Sequence, residues 1–139
     1  MLDGRQTNAA LAKQVHLAEA PTWRRVKALE DDKVIQGYRA VIDPRKLGYE
    51  VVAFVNIRFS SHDPALQAAF EQQVRQIDDV LWCHNVSGSV DFLLCVVARS
   101  LSEYGDMVSA RLRNLPGVTA IESSFSLRTV KEFAGFPLI

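Results

Sequence analysis

Residues 80–98 read "VLWCHNVSGSVDFLLCVVA". Two runs rich in β-branched and aromatic residues, 80–86 and 91–98, flank Ser87-Gly88-Ser89. That pattern predicts two strands joined by a tight connection. Asp91 follows the break and leads into the second run. A carboxylate at the lip of an apolar strand costs free energy unless something pairs with it. Its partner is therefore either a backbone N–H of its own chain, in the manner of a hairpin cap, or a ligand.

Amphipathic segments lie on both sides of this hairpin. "DPALQAAFEQQVRQI" (63–77) reads as a helix with Leu66, Phe70, Val74 and Ile77 on one stripe. "SLSEYGDMVSARLRNL" (100–115) reads as a second, with Leu101, Tyr104, Val108, Leu112 and Leu115 inward, ended by Pro116-Gly117. Beyond them lie two more strands. In "VVAFVNIRF" (51–59), Val51, Ala53, Val55, Ile57 and Phe59 share one side, and Val52, Phe54, Asn56 and Arg58 the other. "VTAIESSFSLRTV" (118–130) is the last. The order β-α-β-β-α-β is the ferredoxin-like split βαβ pattern, an α+β fold. Two helices cover one face of such a sheet. The other is apolar enough to need a partner, so a dimer joined sheet against sheet is expected.

Upstream, "TNAALAKQV" (7–15) reads as a short helix capped by Thr7, with Leu11 and Val15 at i, i+4. "PTWRRVKALEDD" (21–32) reads as a second, with Pro21 suited to the first turn. Trp23, Val26 and Leu29 fall on a narrow arc expected to be buried, and Arg24, Arg25 and Ala28 on the other side. "VIQGYRAVID" (34–43) alternates like a strand with Gly37 as a possible bulge, and "DPRKLG" (43–48) is a turn. Two units are expected, residues 1–48 and 49–139.

Of 139 residues, 48% are apolar and 23% charged, as in soluble globular proteins. No apolar run approaches the roughly 20 residues of a membrane span, and the polar start "MLDGRQTNAA" is no signal peptide. A cytoplasmic location is expected. Cys83 and Cys95 read as buried reduced thiols, or as a cross-strand disulfide if the register allowed it. His16, His62 and His84 lack ligand spacing, so no metal or cofactor is expected. His84 and Trp82 read as core or interface residues. Net charge is zero, yet residues 1–48 hold nine Lys/Arg against six Asp/Glu and residues 49–139 seven against ten. A basic front and an acidic back suggest units with different partners.

The segments "NAALAKQV", "RRVKALEDDKVIQGY", "DPRKLG", "CHNVSGSVDFLL", "LPGV" and "SSFSLRTVK" together resemble the Lrp/AsnC (feast/famine) transcription regulators over nearly the whole chain. The resemblance implies a winged helix-turn-helix that binds DNA. It also implies a C-terminal unit that senses amino acids or related small molecules, in dimers that assemble to octamers or larger rings. The departures fall in the DNA-binding half. The family opens with a further helix before a "DGR" loop, whereas Met1 and Leu2 stand almost at that loop here, so a short, incomplete helix-turn-helix is expected. His16 replaces a turn glycine. "AEAP" (18–21) lacks the serine that often caps the second helix.

On residues 21–31, Arg24 and Arg25 are candidates for phosphates or guanine edges, flanked by Thr22 and Lys27; the alternative is a solvated surface helix. For the effector, Gly88 lets a ligand approach the backbone, freed N–H groups can hold a carboxylate, and Asp91 can pair with an ammonium group. Gly88 and Asp91 match the family's Gly-x-x-Asp turn, which the resemblance places near the contact between dimers. Asn85, Ser123 and Ser124 are further polar candidates. The expected function is a DNA-binding regulator that answers an amino acid by changing its assembly. One alternative is a modulator with little DNA binding of its own. The other is an enzyme resembling the sirohaem decarboxylases, which share this two-part architecture; only His84, with Arg58 or Arg99, could serve it.

Overall fold

The computed structural model describes residues 4–61, 63–133 and 135–137. His62 and the residues before Gly4, on which the expectation of a short start rests, lie outside the described residues. The chain divides into two compact units. One runs to Ile42 and takes in residues from Phe133 onward; the other is Asp43–Glu132. The boundary falls ahead of the 43–48 turn rather than after it.

In the first unit, α1 (Asn8–Gln14) and α2 (Glu19–Asp31) form a helical pair. The Thr7 hydroxyl accepts from the Ala10 N–H at 3.2 Å, the expected N-cap. The link between the helices is a Schellman turn. His16 N–H donates to Lys13 O at 3.3 Å and Leu17 N–H to Ala12 O at 3.0 Å. His16 occupies the left-handed position of that turn, at φ 54°, a conformation that favours glycine. Ala18, the N-cap of α2, supplies no side-chain bond.

Two expectations fail here. Trp23 is 51% exposed and Leu29 42% exposed, whereas Thr22 is buried. Residues 34–43 form no strand, and Val41 is 96% exposed. A strand needs a hydrogen-bonded neighbour, and none is paired to this segment. The wing expected after the helices is thus absent among the described residues.

In the second unit, β1 (Val51–Phe59), α3 (Pro64–Val74), β2 (Val80–Asn85), β3 (Phe92–Ala98), α4 (Leu101–Ala110) and β4 (Val118–Phe125) follow the expected βαββαβ order. The sheet is antiparallel with strand order β2-β3-β1-β4. Period-2 alternation places Ala53, Val55 and Ile57 of β1 with Phe92, Leu94 and Val96 of β3 under the helices, all nearly fully buried. Phe70 of α3 joins Phe59 and Phe92 in an aromatic trio with centroids 4.5–5.1 Å apart. From α4, Tyr104, Met107 and Val108 are buried, and a 3₁₀ turn carries Leu112 inward. Leu101 is exposed, contrary to expectation. β4 stops at Phe125 because β1 has almost run out: Phe125 pairs with Ala53. Gly117, at φ 79°, turns the chain into β4; a Cβ there would lie 2.9 Å from Leu66 Cδ2. Cys83 faces Leu94 and Cys95 faces Trp82, so the thiols lie on opposite sides of the sheet and both are free.

Candidate effector turn and DNA-binding face

The connection from β2 to β3 is held by Asp91. Its N–H donates to Ile57 O at 2.9 Å, and its C=O accepts from Val86 N–H and from Asn85 Nδ2, both at 3.0 Å. Its Oδ2 accepts from the Phe59 N–H at 2.7 Å. The carboxylate thus caps the end of β1, where the ladder with β3 has stopped. Asn85 is turned back onto Asp91 and closes the turn. Gly88 stands at its tip with φ 122°; a Cβ there would meet nothing within 4 Å, so backbone conformation and not space favours glycine.

Ser123 and Ser124 do not join this turn. They pair with Val55 and Phe54, while Asp91 bonds at Ile57 and Phe59. The offset is roughly 10 Å along β1 at about 3.3 Å per residue. Alternation also puts the two serines on opposite faces. The Ser123 hydroxyl lies under α4 and is hydrogen-bonded to the Tyr104 hydroxyl. Burial holds the Tyr104 phenol above its ordinary pKa, and the Ser123 bond acts against that rise. The turn's neighbours on the uncovered face are Asn56, Arg58, Val90, Ala120 and Glu122, around a depression of about 180 Å³. Arg58 and Glu122 supply opposite charges there. No local pattern marks this grouping, because it depends on the β1–β4 register.

The uncovered face also carries Val52, Phe54, Trp82, His84, Leu93, Cys95 and Val97. Phe54 is 39% exposed and Trp82 37%. Their rings lie 6.2 Å apart, and Trp82 and His84 lie 5.2 Å apart.

On α2, Arg24, Arg25 and Lys27 are exposed. Lys27 makes a 3.4 Å ion pair with Asp31, an exposed i, i+4 pair worth a few tenths of a kcal/mol. Thr22 has to be withdrawn from the DNA candidates. It is 3% exposed, and its hydroxyl donates to Ala18 O at 2.8 Å. Among the described residues no cluster of His, Cys, Asp and Glu could hold a metal, and no helix is long and apolar enough to cross a membrane.

A basic helical pair ahead of a βαββαβ unit with a Gly-x-x-Asp turn defines a ligand-responsive DNA-binding regulator. The profile of the Lrp/AsnC ligand binding domain matches residues 52–136, and that of a winged helix-turn-helix DNA-binding domain matches residues 1–36. The chain belongs to the Lrp/AsnC family of transcription regulators. It is 36% identical to the leucine-responsive regulatory protein of Rhizobium meliloti over 94% of this chain and 83% of the relative. A transcriptional regulator of Neisseria meningitidis, solved as an L-Met complex, superposes with a TM-score of 0.92 at 29% identity, covering 96% of this chain and 86% of that one. The feast or famine regulatory protein of M. tuberculosis complexed with L-methionine superposes with a TM-score of 0.84 at 31% identity, covering 94% and 86%. With relatives named as regulators and a matched domain that binds ligand, the chain is not an enzyme, and the decarboxylase alternative falls.

Proposed function

We propose that this regulator works in the cytoplasm as a dimer joined through the uncovered sheet face, assembles further to an octamer, and answers an amino acid by changing that assembly. The observation that carries the reading is the uncovered face itself. Phe54, Trp82 and the half-buried Leu93 form a patch on a sheet whose other side carries the helices and the core, and such a patch marks an association surface. The Asn85–Asp91 turn borders it. There the Gly88 backbone would receive the carboxylate and Asp91 the ammonium of an amino acid, with Arg58 and Glu122 beside them. Of the two serines only Ser124 lies on the uncovered face, where a group from another copy could meet it; Ser123 lies under α4. The relatives solved with L-methionine support an amino-acid effector. DNA would be met by Arg24, Arg25 and Lys27.

The mechanism is linkage. An effector that binds one assembly better than another shifts the equilibrium by the ratio of its affinities. That shift changes the spacing of the DNA-reading helices. Light scattering with and without L-methionine or L-leucine, run beside a DNA mobility shift at low salt, tests the reading. A monomer that retards no DNA and whose mass no amino acid changes would overturn it.

A second reading has its own support. The left-handed His16 and the uncapped α2 each weaken the DNA unit, which favours a modulator that mixes with relatives and binds DNA poorly itself. In that case the mobility shift is absent while the dimer persists.

A further inference from the structure

A second concavity lies away from the turn's uncovered face, between α3 and the edge strand β2. It holds about 370 Å³. Val74, Val80, Cys83 and Phe92 give it an apolar lining, and Glu71 and Arg75 stand at its rim, one turn apart on α3. Their ion pair is loose: Arg75 Nη2 lies 3.8 Å from Glu71 Oε2, well beyond the ~2.7–2.9 Å of a charge-assisted hydrogen bond. Glu71 Oε1 also accepts from Gln67 Nε2, at a long 3.4 Å, so a ligand's ammonium would compete with two weak contacts at Glu71 and its carboxylate with one at Arg75. On the opposite side β2 is the edge strand, with no outer neighbour among the described residues, so its outward main-chain N–H and C=O groups can meet a polar ligand.

A carboxylate and a guanidinium side by side above an apolar floor match a zwitterion with an apolar tail. We propose that this groove seats a free α-amino acid with an apolar side chain. Its ammonium meets Glu71, its carboxylate meets Arg75, and its side chain rests on Val74, Cys83 and Phe92. The inference rests on the amino-acid reading above and adds a seat separate from the Gly88–Asp91 turn. The volume suits leucine or methionine and leaves room for water.

Calorimetric titration of the whole chain with L-methionine tests it, using Glu71→Gln, Arg75→Gln and Asp91→Asn. One class of sites should weaken about tenfold or more in each α3 variant, since a charge-assisted bond is worth about 1.5–3 kcal/mol. Asp91→Asn should leave that class unchanged. 4-Methylpentanoate, which lacks the amine, should bind wild type and Glu71→Gln alike. Glu71 and Arg75 form a solvent-side pair, so both variants should unfold at the wild-type temperature. Wild-type affinity in both α3 variants would overturn the groove. If only Asp91→Asn lost binding, the turn would stand and the groove would fall. If wild type bound no amino acid, the sensing reading would fall, and the groove with it.

Discussion

His16 shows how much a single position can reveal. An L-residue in the left-handed region costs roughly 1–2 kcal/mol, and His16 sits there at φ 54°. Its two Schellman hydrogen bonds hold it in place. His16→Gly removes the strain but adds freedom to the unfolded chain, so a net gain of about 0.5–1 kcal/mol is expected. Denaturant unfolding would read it as a higher midpoint at unchanged slope. This strain was legible from the sequence, because the residue stands where a helix-ending glycine belongs. Cys83 was legible only as a buried thiol. Its environment is particular: burial first, then the Glu71 charge, push its pKa up to about 11 from 9.0. The folded chain then keeps a proton that the unfolded chain releases. Stability from this group is complete below pH 9 and falls as pH rises from 9 to 11. Cys83→Ala should flatten that part of the stability–pH curve. Alkylation of Cys83 in the folded protein should stay slow at pH 8 and accelerate toward pH 11.

The elements divide into those that needed only local pattern and those that needed a partner. β1 falls on Val51–Phe59 as expected, and the stripe Phe70, Val74, Ile77 is buried as the 3.6-residue period requires. Segment 34–43 alternates equally well yet is no strand, since alternation describes a face and not a neighbour. On α2 the periodicity found an apolar arc, but an arc is buried only where another element lies against it, and Trp23 is half exposed. The turn's carboxylate shows the same limit. Its donor, Phe59, is 32 residues upstream, and no local pattern points there. Asp91 thus has a structural duty besides the proposed one, and two substitutions separate them. Asp91→Ala leaves the Phe59 amide without its charged acceptor and should cost roughly 1.5–3 kcal/mol. Asp91→Asn keeps an acceptor oxygen, so it should recover most of that stability. If Asp91 also holds an ammonium group, Asp91→Asn should still lose effector affinity at the turn. Thermal unfolding and ligand titration on the same two proteins decide it, and full binding by Asp91→Asn would leave Asp91 a strand cap.

At the scale of the whole molecule, the proposed sheet-to-sheet dimer would couple effector binding to DNA binding. The three exposed cations that α2 carries in each chain, Arg24, Arg25 and Lys27, are a small electrostatic footprint. A protein that neutralises Z phosphates loses affinity with salt at a slope near −0.9Z, so one chain holds DNA weakly and two held together double the slope. Phe54 and Trp82 lie on the side of the sheet away from the helices, where they support no core. Phe54→Glu should therefore leave the βαββαβ unit folded while placing a carboxylate in the middle of the proposed contact. A buried unpaired charge is strongly disfavoured, and the dimer should dissociate. Light scattering should give a single-chain mass, circular dichroism should be unchanged, and the salt slope of DNA binding should fall to about half. Arg24→Ala in the wild-type background should instead keep the dimer and reduce the slope by about two, one phosphate contact from each copy. A Phe54→Glu chain that stayed dimeric would move the association surface elsewhere. One that became monomeric yet kept the wild-type slope would show that DNA is held by residues beyond α2.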